Sequence, residues 1–186
     1  MENLEKNLDD LYSVSPYIKS YRNKTDFKSE YSSVYGEVTK QSTNGIVNHF
    51  KKYFNEDTVF YDLGCGLGKM VIHIGLQYNP KKSCGIELSK ERVKGANDLK
   101  EKYCKDDNKI SFIEGDFFDN DFSDATVVYI DNTVMSHELT KKIVDNLSKG
   151  CLFICRKKPN FIKTEELRGE KFKTGYNTSC IHFLIK

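Results

Sequence analysis

The sequence predicts an α/β protein built on a doubly wound, mostly parallel β-sheet that ends in an antiparallel hairpin. Short, continuously apolar segments alternate with longer amphipathic segments between residues 58 and 155. Continuous apolar strands separated by helices are typical of a parallel sheet that is covered by helices on both faces. The segment 170–186 indicates two strands around a Thr-Gly-Tyr-Asn turn, which supplies the hairpin.

The individual elements are placed by apolar spacing and by helix breakers. A short helix is expected at residues 4–12 and ends before Pro16, because the residue before a proline is pushed out of helical geometry. Apolar residues at helical spacing, among them Ile46, Val47 and Phe50, predict a second helix at residues 42–53. After it we expect strands at residues 58–63, 83–87, 110–113, 126–130 and 151–155, with helices at residues 69–78, 90–104 and 137–147.

Length and composition are those of an ordinary soluble domain. The 186 residues suffice for one domain with a sizeable core, and 38% of them are hydrophobic and 30% charged. No apolar run approaches the ~20 residues that span a bilayer. The acidic start of the chain lacks the apolar core of a signal peptide. Alanine occurs twice while Asn and Lys abound, which indicates an AT-rich genome such as that of a protist or a large DNA virus.

Cysteine usage and charge limit the possible partners. The six cysteines form no Cys-x-x-Cys pair and several lie in apolar runs, so we expect reduced thiols in an intracellular protein and no metal site. The net charge of +2 is no nucleic-acid signature for the whole chain. Residues 150–186, however, carry eight Lys or Arg against three Glu. This tail is either a contact for phosphate or an acidic partner, or a solvated lysine-rich edge.

The stretch VFYDLGCGLGKMVIHIG places an acid, Asp62, before glycines at positions 64, 66 and 68. Doubly wound sheets bind ligands beyond the carboxyl ends of their strands, and glycines let the backbone approach a ligand closely. Gly-x-Gly alone would also suit a nicotinamide cofactor, with its pyrophosphate at the helix N-terminus. A carboxylate at Asp62 would repel a pyrophosphate and would suit a cationic amino acid. The motif therefore resembles the first motif of class I methyltransferases that use S-adenosylmethionine (SAM).

Acids also end the second and third strands. Glu87 in CGIELS would bind ribose hydroxyls, although nicotinamide folds use an acid in the same way. Asp116 in EGDFFD would accept a hydrogen bond from the adenine amino group, and Phe117 would pack on the ring. The alternative, in which each acid only caps the following helix, does not readily explain all three acids together. The combination predicts SAM as the cofactor.

The ends of strands four and five narrow the substrate class. Enzymes that methylate exocyclic amines of bases usually follow this acid or Asn with Pro-Pro-aromatic, whereas here Asp131 and Asn132 precede Thr133 and Val134. Catechol-type enzymes need a further acid pair after the fifth strand, where this chain has CRKKP. That sequence cannot hold a magnesium ion.

One further element, VYGEVT at residues 34–39, lies one helix before the glycine loop. Together with DLGCGLGK, GIELS, EGDFFD and the polar pair after strand four, it resembles the non-SET histone lysine methyltransferases named for disruption of telomeric silencing. The resemblance covers residues 31–159. It implies a catalytic domain at residues 34–186, preceded by a polar, helical extension at residues 1–33.

The resemblance also implies roles for individual residues. Tyr35 and the loop around it would close over SAM and wall a lysine channel, and Asp131 and Asn132 would lie beside the transferred methyl group. The catalytic residues are therefore expected to be Asp131, Asn132 and Tyr35. The cofactor-binding residues are expected to be Val34, Tyr35, Glu37, Val38, Asp62, Gly64, Gly66, Lys69, Glu87, Leu88, Asp116, Phe117 and Asp131.

The chain departs from the family pattern around the channel. The family has two Asn where this chain has Asp131 and Asn132, and Gln where it has Lys69. It has aromatic residues at the positions of Thr133 and Met135, and its channel Tyr falls on Cys180 here, with Tyr176 as a substitute. The long basic segments that hold family members on nucleosomes are missing.

The sequence thus predicts a SAM-dependent protein-lysine methyltransferase that acts on a lysine of the folded histone core. Its partners would be the nucleosome and, weakly through the basic tail, DNA, with no membrane; it would act in the nucleus, or in a viral factory or virion. Two alternatives stay open: a methyltransferase of another protein lysine, nucleic acid or small molecule, and a non-catalytic SAM-fold binding module.

Overall fold

The computed structural model describes residues 2–14, 36–169, 172 and 180–186. Its centre is a seven-stranded sheet with the strand order β3-β2-β1-β4-β5-β7-β6. Strands β1 to β5 are parallel, and β7 runs antiparallel to both β5 and β6. The strands are β1 (Val59–Leu63), β2 (Lys82–Glu87), β3 (Ile110–Glu114), β4 (Val127–Ile130), β5 (Leu152–Cys155), β6 (Glu165–Arg168) and β7 (Cys180–Ile185).

Helices cover both faces of this sheet. They are α1 (Glu2–Ser13), α2 (Lys40–His49), α3 (Lys69–Tyr78), α4 (Lys90–Cys104) and α5 (His137–Asn146). One buried cluster joins alternate strand residues such as Phe60 and Ile154 to α1, α2, α3 and one end of α4. A second cluster joins the intervening residues, such as Tyr61 and Phe153, to α5. Because side chains alternate across a strand, strands that are apolar throughout bury residues in both clusters.

The predicted α/β fold is confirmed, and α3 and α4 have the predicted bounds. The helix expected at residues 42–53 is shorter, because α2 ends at His49 and a 3₁₀ turn, Lys51–Tyr53, follows. The antiparallel hairpin is confirmed, and β7 lies in the predicted segment, but its partner strand β6 is Glu165–Arg168, upstream of that segment. A short, charged edge strand of this kind is typical of exposed sheet edges and has no apolar signal. The expected turn at residues 174–177 lies outside the described residues.

Helix α1 packs into the first buried cluster. Leu8 and Leu11 are fully buried there. The Tyr12 hydroxyl lies 2.9 Å from Thr43 Oγ1 and 3.1 Å from His73 Nδ1. Burial lowers the pKa of His73 to about 4, so this imidazole is neutral and structural. The boundary at residue 33 stays a prediction, since residues 15–35 lie outside the described residues.

No helix within the described ranges combines the length and the apolarity that are needed to cross a bilayer.

Candidate active site

A cleft opens at the carboxyl ends of β1 and β4. It lies where the strand order reverses, which is the usual ligand site of doubly wound sheets. Its walls come from the segment before α2, the glycine loop with the first turn of α3, and the end of β4. The lining residues are Gly36, Glu37, Val38, Asp62, Gly64, Cys65, Lys69, Met70, Tyr129 and Asp131.

The glycine loop is shaped by left-handed backbone. Gly64, Gly66 and Gly68 have φ values of 84°, 57° and 69°, which L-residues with a side chain rarely adopt. At Gly68 a Cβ would also lie 2.2 Å from a ring carbon of Phe112, so glycine is required there twice over. The loop is held to β2 by the Gly64 amide, which donates to Ile86 O over 2.8 Å. It therefore presents backbone rather than side chains to the cleft.

Asp62 places a buried carboxyl group in the cleft. Its side chain sits near the end of β1 and the residue is only 6% exposed. Burial, together with the negative charges of Glu87 and Asp131, raises the pKa of Asp62 to about 8. Each pKa unit corresponds to ~1.4 kcal/mol of preference for the protonated form. A cationic ligand group placed in the cleft would offset that penalty and let Asp62 ionise.

Tyr129 forms part of the floor of the cleft, and the sequence reasoning missed it. It faces Asp62 in the register of β1 and β4 and is 2% exposed. Its hydroxyl has no hydrogen-bond partner among the described residues. Burial and the charge of Asp131 raise its pKa, so the phenol stays neutral and can donate its proton. The feature of the sequence that could have identified it is a single tyrosine in the otherwise aliphatic strand VVYI.

Lys69 and Glu37 form a buried ion pair at the mouth of the cleft. The Lys69 Nζ lies 2.7 Å from Glu37 Oε2 and also donates to Val14 O over 2.5 Å. Lys69 is 4% exposed and occupies the first turn of α3, where the helix dipole disfavours a cation. Glu37 compensates for this. The pair ties residue 14 and the loop at residues 36–38 to the helix that follows the glycine loop.

Asp131 and Asn132, adjacent in sequence, have different surroundings. Asp131 lines the cleft, and its Oδ1 accepts hydrogen bonds from the amide and hydroxyl of Thr133. Asn132 is 1% exposed; its Oδ1 accepts from the amides of Arg156 and Lys157 at 3.0 and 2.7 Å. Its Nδ2 donates to Lys157 O over 3.1 Å. Asn132 therefore fastens the loop after β4 to the loop after β5, which holds Asp131 in place.

The residues expected to bind ribose and adenine lie at the ends of β2 and β3, across the glycine loop from β4. Glu87 accepts from the amides of Gly66 and Ser89, each over 2.9 Å, so it also shapes the loop. Asp116 caps the 3₁₀ turn Phe117–Asp119 by accepting from the Phe118 amide over 2.9 Å. Leu88 and Phe117 are half-buried on the same edge. Val34 and Tyr35 lie outside the described residues, and the roles predicted for all these residues stay predictions.

The strand order, the glycine loop and the acids at the ends of β1, β2 and β4 together define a class I SAM-dependent methyltransferase. A solved RNA methyltransferase from Salinibacter ruber, in complex with S-adenosyl-L-homocysteine, has a similar fold. The TM-score is 0.60 with 23% sequence identity, and the match covers 78% of this chain and 90% of that one. At this identity the likeness shows the fold alone.

The model of the family described as histone methylation protein DOT1 matches residues 12–182, and the chain belongs to this family. A protein-lysine N-methyltransferase of Saccharolobus islandicus is 35% identical over 97 residues, covering 52% of this chain and 60% of the relative. A histone-lysine N-methyltransferase of Caenorhabditis elegans, H3 lysine-79 specific, is 31% identical over 129 residues. That match covers 63% of this chain and 13% of the nematode protein. The chain thus spans less than two thirds of either relative.

SAM is the cofactor of this family, and the cleft residues fit it. The methionine part of SAM carries an ammonium group. This positive charge would offset the unfavourable burial of negative charge on Asp62 and the neighbouring acids, which is what raises the pKa of Asp62. The Tyr129 hydroxyl, which has no partner within the described part of the chain, offers a hydrogen bond beside Asp62. The glycine loop and the first turn of α3 line the cleft, so a ligand there can lie against the backbone of the loop.

Proposed function

We propose that the protein is a SAM-dependent protein-lysine N-methyltransferase whose substrate is a lysine of a nucleosomal histone. The observation that carries the proposal is the family match over residues 12–182, to a family described by histone methylation. Both curated relatives described above are lysine methyltransferases of proteins, and one of them acts on a histone. The catalytic domain would comprise residues 34–186, as the sequence predicts, and the protein would act where nucleosomes are. A viral source stays a prediction.

The cleft supports amine chemistry through its mixture of acidic and apolar walls. When bound, SAM would supply a methyl group on a sulfonium centre, from which the neutral thioether S-adenosylhomocysteine is a good leaving group. A lysine amine must be neutral to accept that methyl group, whereas its ordinary pKa is about 10.4. Val38, Met70 and the Tyr129 ring would lower the lysine pKa by desolvation. They would also exclude water from the reacting atoms.

Asp131 is the residue to which we assign the contact with the amine. It lines the cleft directly after β4 and is oriented by Thr133. A carboxylate stabilises the ammonium form, so its role is to bind the incoming lysine and orient the amine while the proton passes to water. Asn132 then acts as a positioning residue, because its amide is engaged by the loop after β5. Tyr35 keeps its predicted role in closing over the cofactor.

The basic tail is assigned the contact with nucleosomal DNA. Arg156 is buried and its Nη1 donates to Phe172 O over 2.7 Å, so it belongs to the fold rather than to this surface. Lys158, Lys163 and Arg168 are exposed and remain as candidates. Such a contact should weaken steeply as the salt concentration rises.

A second candidate is methylation of a different substrate, another protein lysine, a nucleic acid or a small molecule. It is favoured by the residues that stand where the family has aromatic side chains around the lysine channel. Thr133 is exposed and Met135 is half-buried, so neither supplies a flat aromatic wall. A channel of this kind would accept a lysine from a less structured segment or another amine.

The deciding experiment incubates the protein with radiolabelled SAM and, in parallel, nucleosomes, free histones, RNA and DNA. Products are separated on gels and labelled peptides are identified by mass spectrometry. Label on a lysine within the folded histone core, and only with nucleosomes, is the expected result. Label on RNA or DNA, or no label in any lane while S-adenosylhomocysteine still binds, would refute the histone-lysine proposal and leave the cofactor assignment intact.

A further inference from the structure

A second cluster of polar side chains lies on β7 and the edge strand β6, and its residues are not among those that line the cleft. Glu166 of β6 faces His182 of β7 in the antiparallel register. Cys180 precedes His182 by two residues on the same strand, so the two side chains project from the same face. Glu166 is distant from the other two residues along the chain, and the pairing of β6 with β7 brings it beside them.

The three side chains lie within reach of one metal ion. Cys180 Sγ lies 3.5 Å from His182 Nε2, and Glu166 Oε2 lies 3.7 Å from the other ring nitrogen, Nδ1; one ion would bind one of these two nitrogens. One donor atom from each residue lies within 4.8 Å of the other two. Donors bound to one tetrahedral zinc ion at ~2.0–2.3 Å are roughly 3.3–3.7 Å apart. Small side-chain adjustments would therefore bring all three donors onto one ion.

His182 provides an independent sign that the cluster lacks a component. It is 6% exposed, and its Nδ1 has no hydrogen-bond partner within the described ranges. A buried ring nitrogen without a partner has lost its hydrogen bond to water and has gained none in the protein, which destabilises the fold. Glu166 pairs through Oε1 with Arg168, which leaves Oε2 as the oxygen nearest His182.

We propose that Glu166, Cys180 and His182 form a binding site for a divalent transition metal of the zinc class. Sulfur, nitrogen and a single oxygen suit zinc, whereas magnesium and calcium prefer oxygen ligands throughout. Three protein donors leave a fourth position for water. The ion would link the edge strand β6 to β7 and so fix the charged edge of the sheet. Residue spacing predicted no metal site, because spacing along the chain does not reveal this register.

The test uses the whole chain, freed of metal with a chelator, and does not depend on methyl transfer. Zinc is titrated in competition with a chromophoric chelator. Cobalt(II) is titrated separately, because a cobalt–thiolate bond gives a charge-transfer absorption that reports Cys180 directly. The variants are Cys180→Ser, His182→Asn and Glu166→Gln. Glu165→Gln is the matched control, since Glu165 is exposed on the same strand and points to the opposite face.

We expect one ion per chain, a thiolate absorption with cobalt, and a loss of affinity of at least about tenfold in each ligand variant. Glu165→Gln should bind as the wild type does. Absence of the thiolate absorption in the wild-type protein would overturn the proposal even if His182→Asn failed to fold. Equal weakening by Glu165→Gln and Glu166→Gln would also overturn it, since charge alone would then explain the effect. Binding of S-adenosylhomocysteine by each variant shows that it has folded.

Discussion

Replacing Asp62 with asparagine should stabilise the cofactor-free protein at alkaline pH while it weakens cofactor binding. Asp62 is buried beside Glu87 and Asp131, and its pKa is raised from 3.8 to about 8. In the unfolded chain the same carboxyl group ionises near its ordinary pKa. Between these two values the folded protein binds more protons than the unfolded chain, so stability falls as pH rises.

The size of the effect follows from the two pKa values. They differ by about four units, and each unit corresponds to ~1.4 kcal/mol. Ionised Asp62 therefore destabilises the fold by several kcal/mol above pH 8, with ~6 kcal/mol as the upper limit. Asparagine has nearly the same shape and no charge, so Asp62→Asn should remove this penalty. The difference between the two proteins should be small near pH 4 and largest above pH 8.

The assay is urea denaturation of both proteins at several pH values between 4 and 9, without cofactor. The free energy of unfolding of the wild type relative to the variant should decline across this range. Saturating S-adenosylhomocysteine should flatten the decline in the wild type only, because its ammonium group supplies the missing cation. A stability difference that does not change with pH, or a variant that is less stable at pH 8, would refute the argument.

Three further predictions concern the cleft and its loop. Tyr129→Phe should weaken binding of S-adenosylhomocysteine about fivefold to tenfold, as expected for one hydrogen bond, while binding of 5′-methylthioadenosine, which lacks the amino-acid part, stays unchanged in calorimetry. Equal effects on both ligands would mean that the hydroxyl does not face the amino-acid part. Asp131→Ala should reduce turnover strongly and cofactor affinity less, measured by label transfer and calorimetry; unchanged turnover would exclude Asp131 as a catalytic group. Gly68→Ala should destabilise the protein by more than the ~1–2 kcal/mol of left-handed backbone, because its Cβ meets Phe112, whereas Gly150→Ala, with open space around it, should show the backbone effect alone in thermal denaturation.

Much of the fold and part of the site could be predicted because their signals are local. Apolar periodicity predicted both the first and the last residue of α3 and of α4 correctly. The edge strand Glu165–Arg168 was missed because an exposed, charged strand carries no apolar pattern. Asp62 and Asp131 were identified because acids that end parallel strands collect at one edge of the sheet, and both line the cleft.

The surroundings of Asn132 and Tyr129 could not be predicted, since they depend on contacts between distant segments. Asn132 lies next to Asp131 in sequence, yet its amide is taken up by residues 156 and 157. Tyr129 was assigned to a buried strand without a role. Its hydroxyl gained significance only when the register of β1 and β4 placed it beside Asp62, without a partner among the described residues.

By itself, then, the sequence determined the alternation of strands and helices, the glycine loop, and the acids that indicate SAM. These depend on the conformational preferences of single residues and on spacing within one element. The tertiary structure decided which polar groups are buried together and which lack a partner, as in the Asp62 cleft and in the cluster on β6 and β7. Burial and strand register determine the energetic cost of burying each polar group, and both depend on residues that lie far apart along the chain.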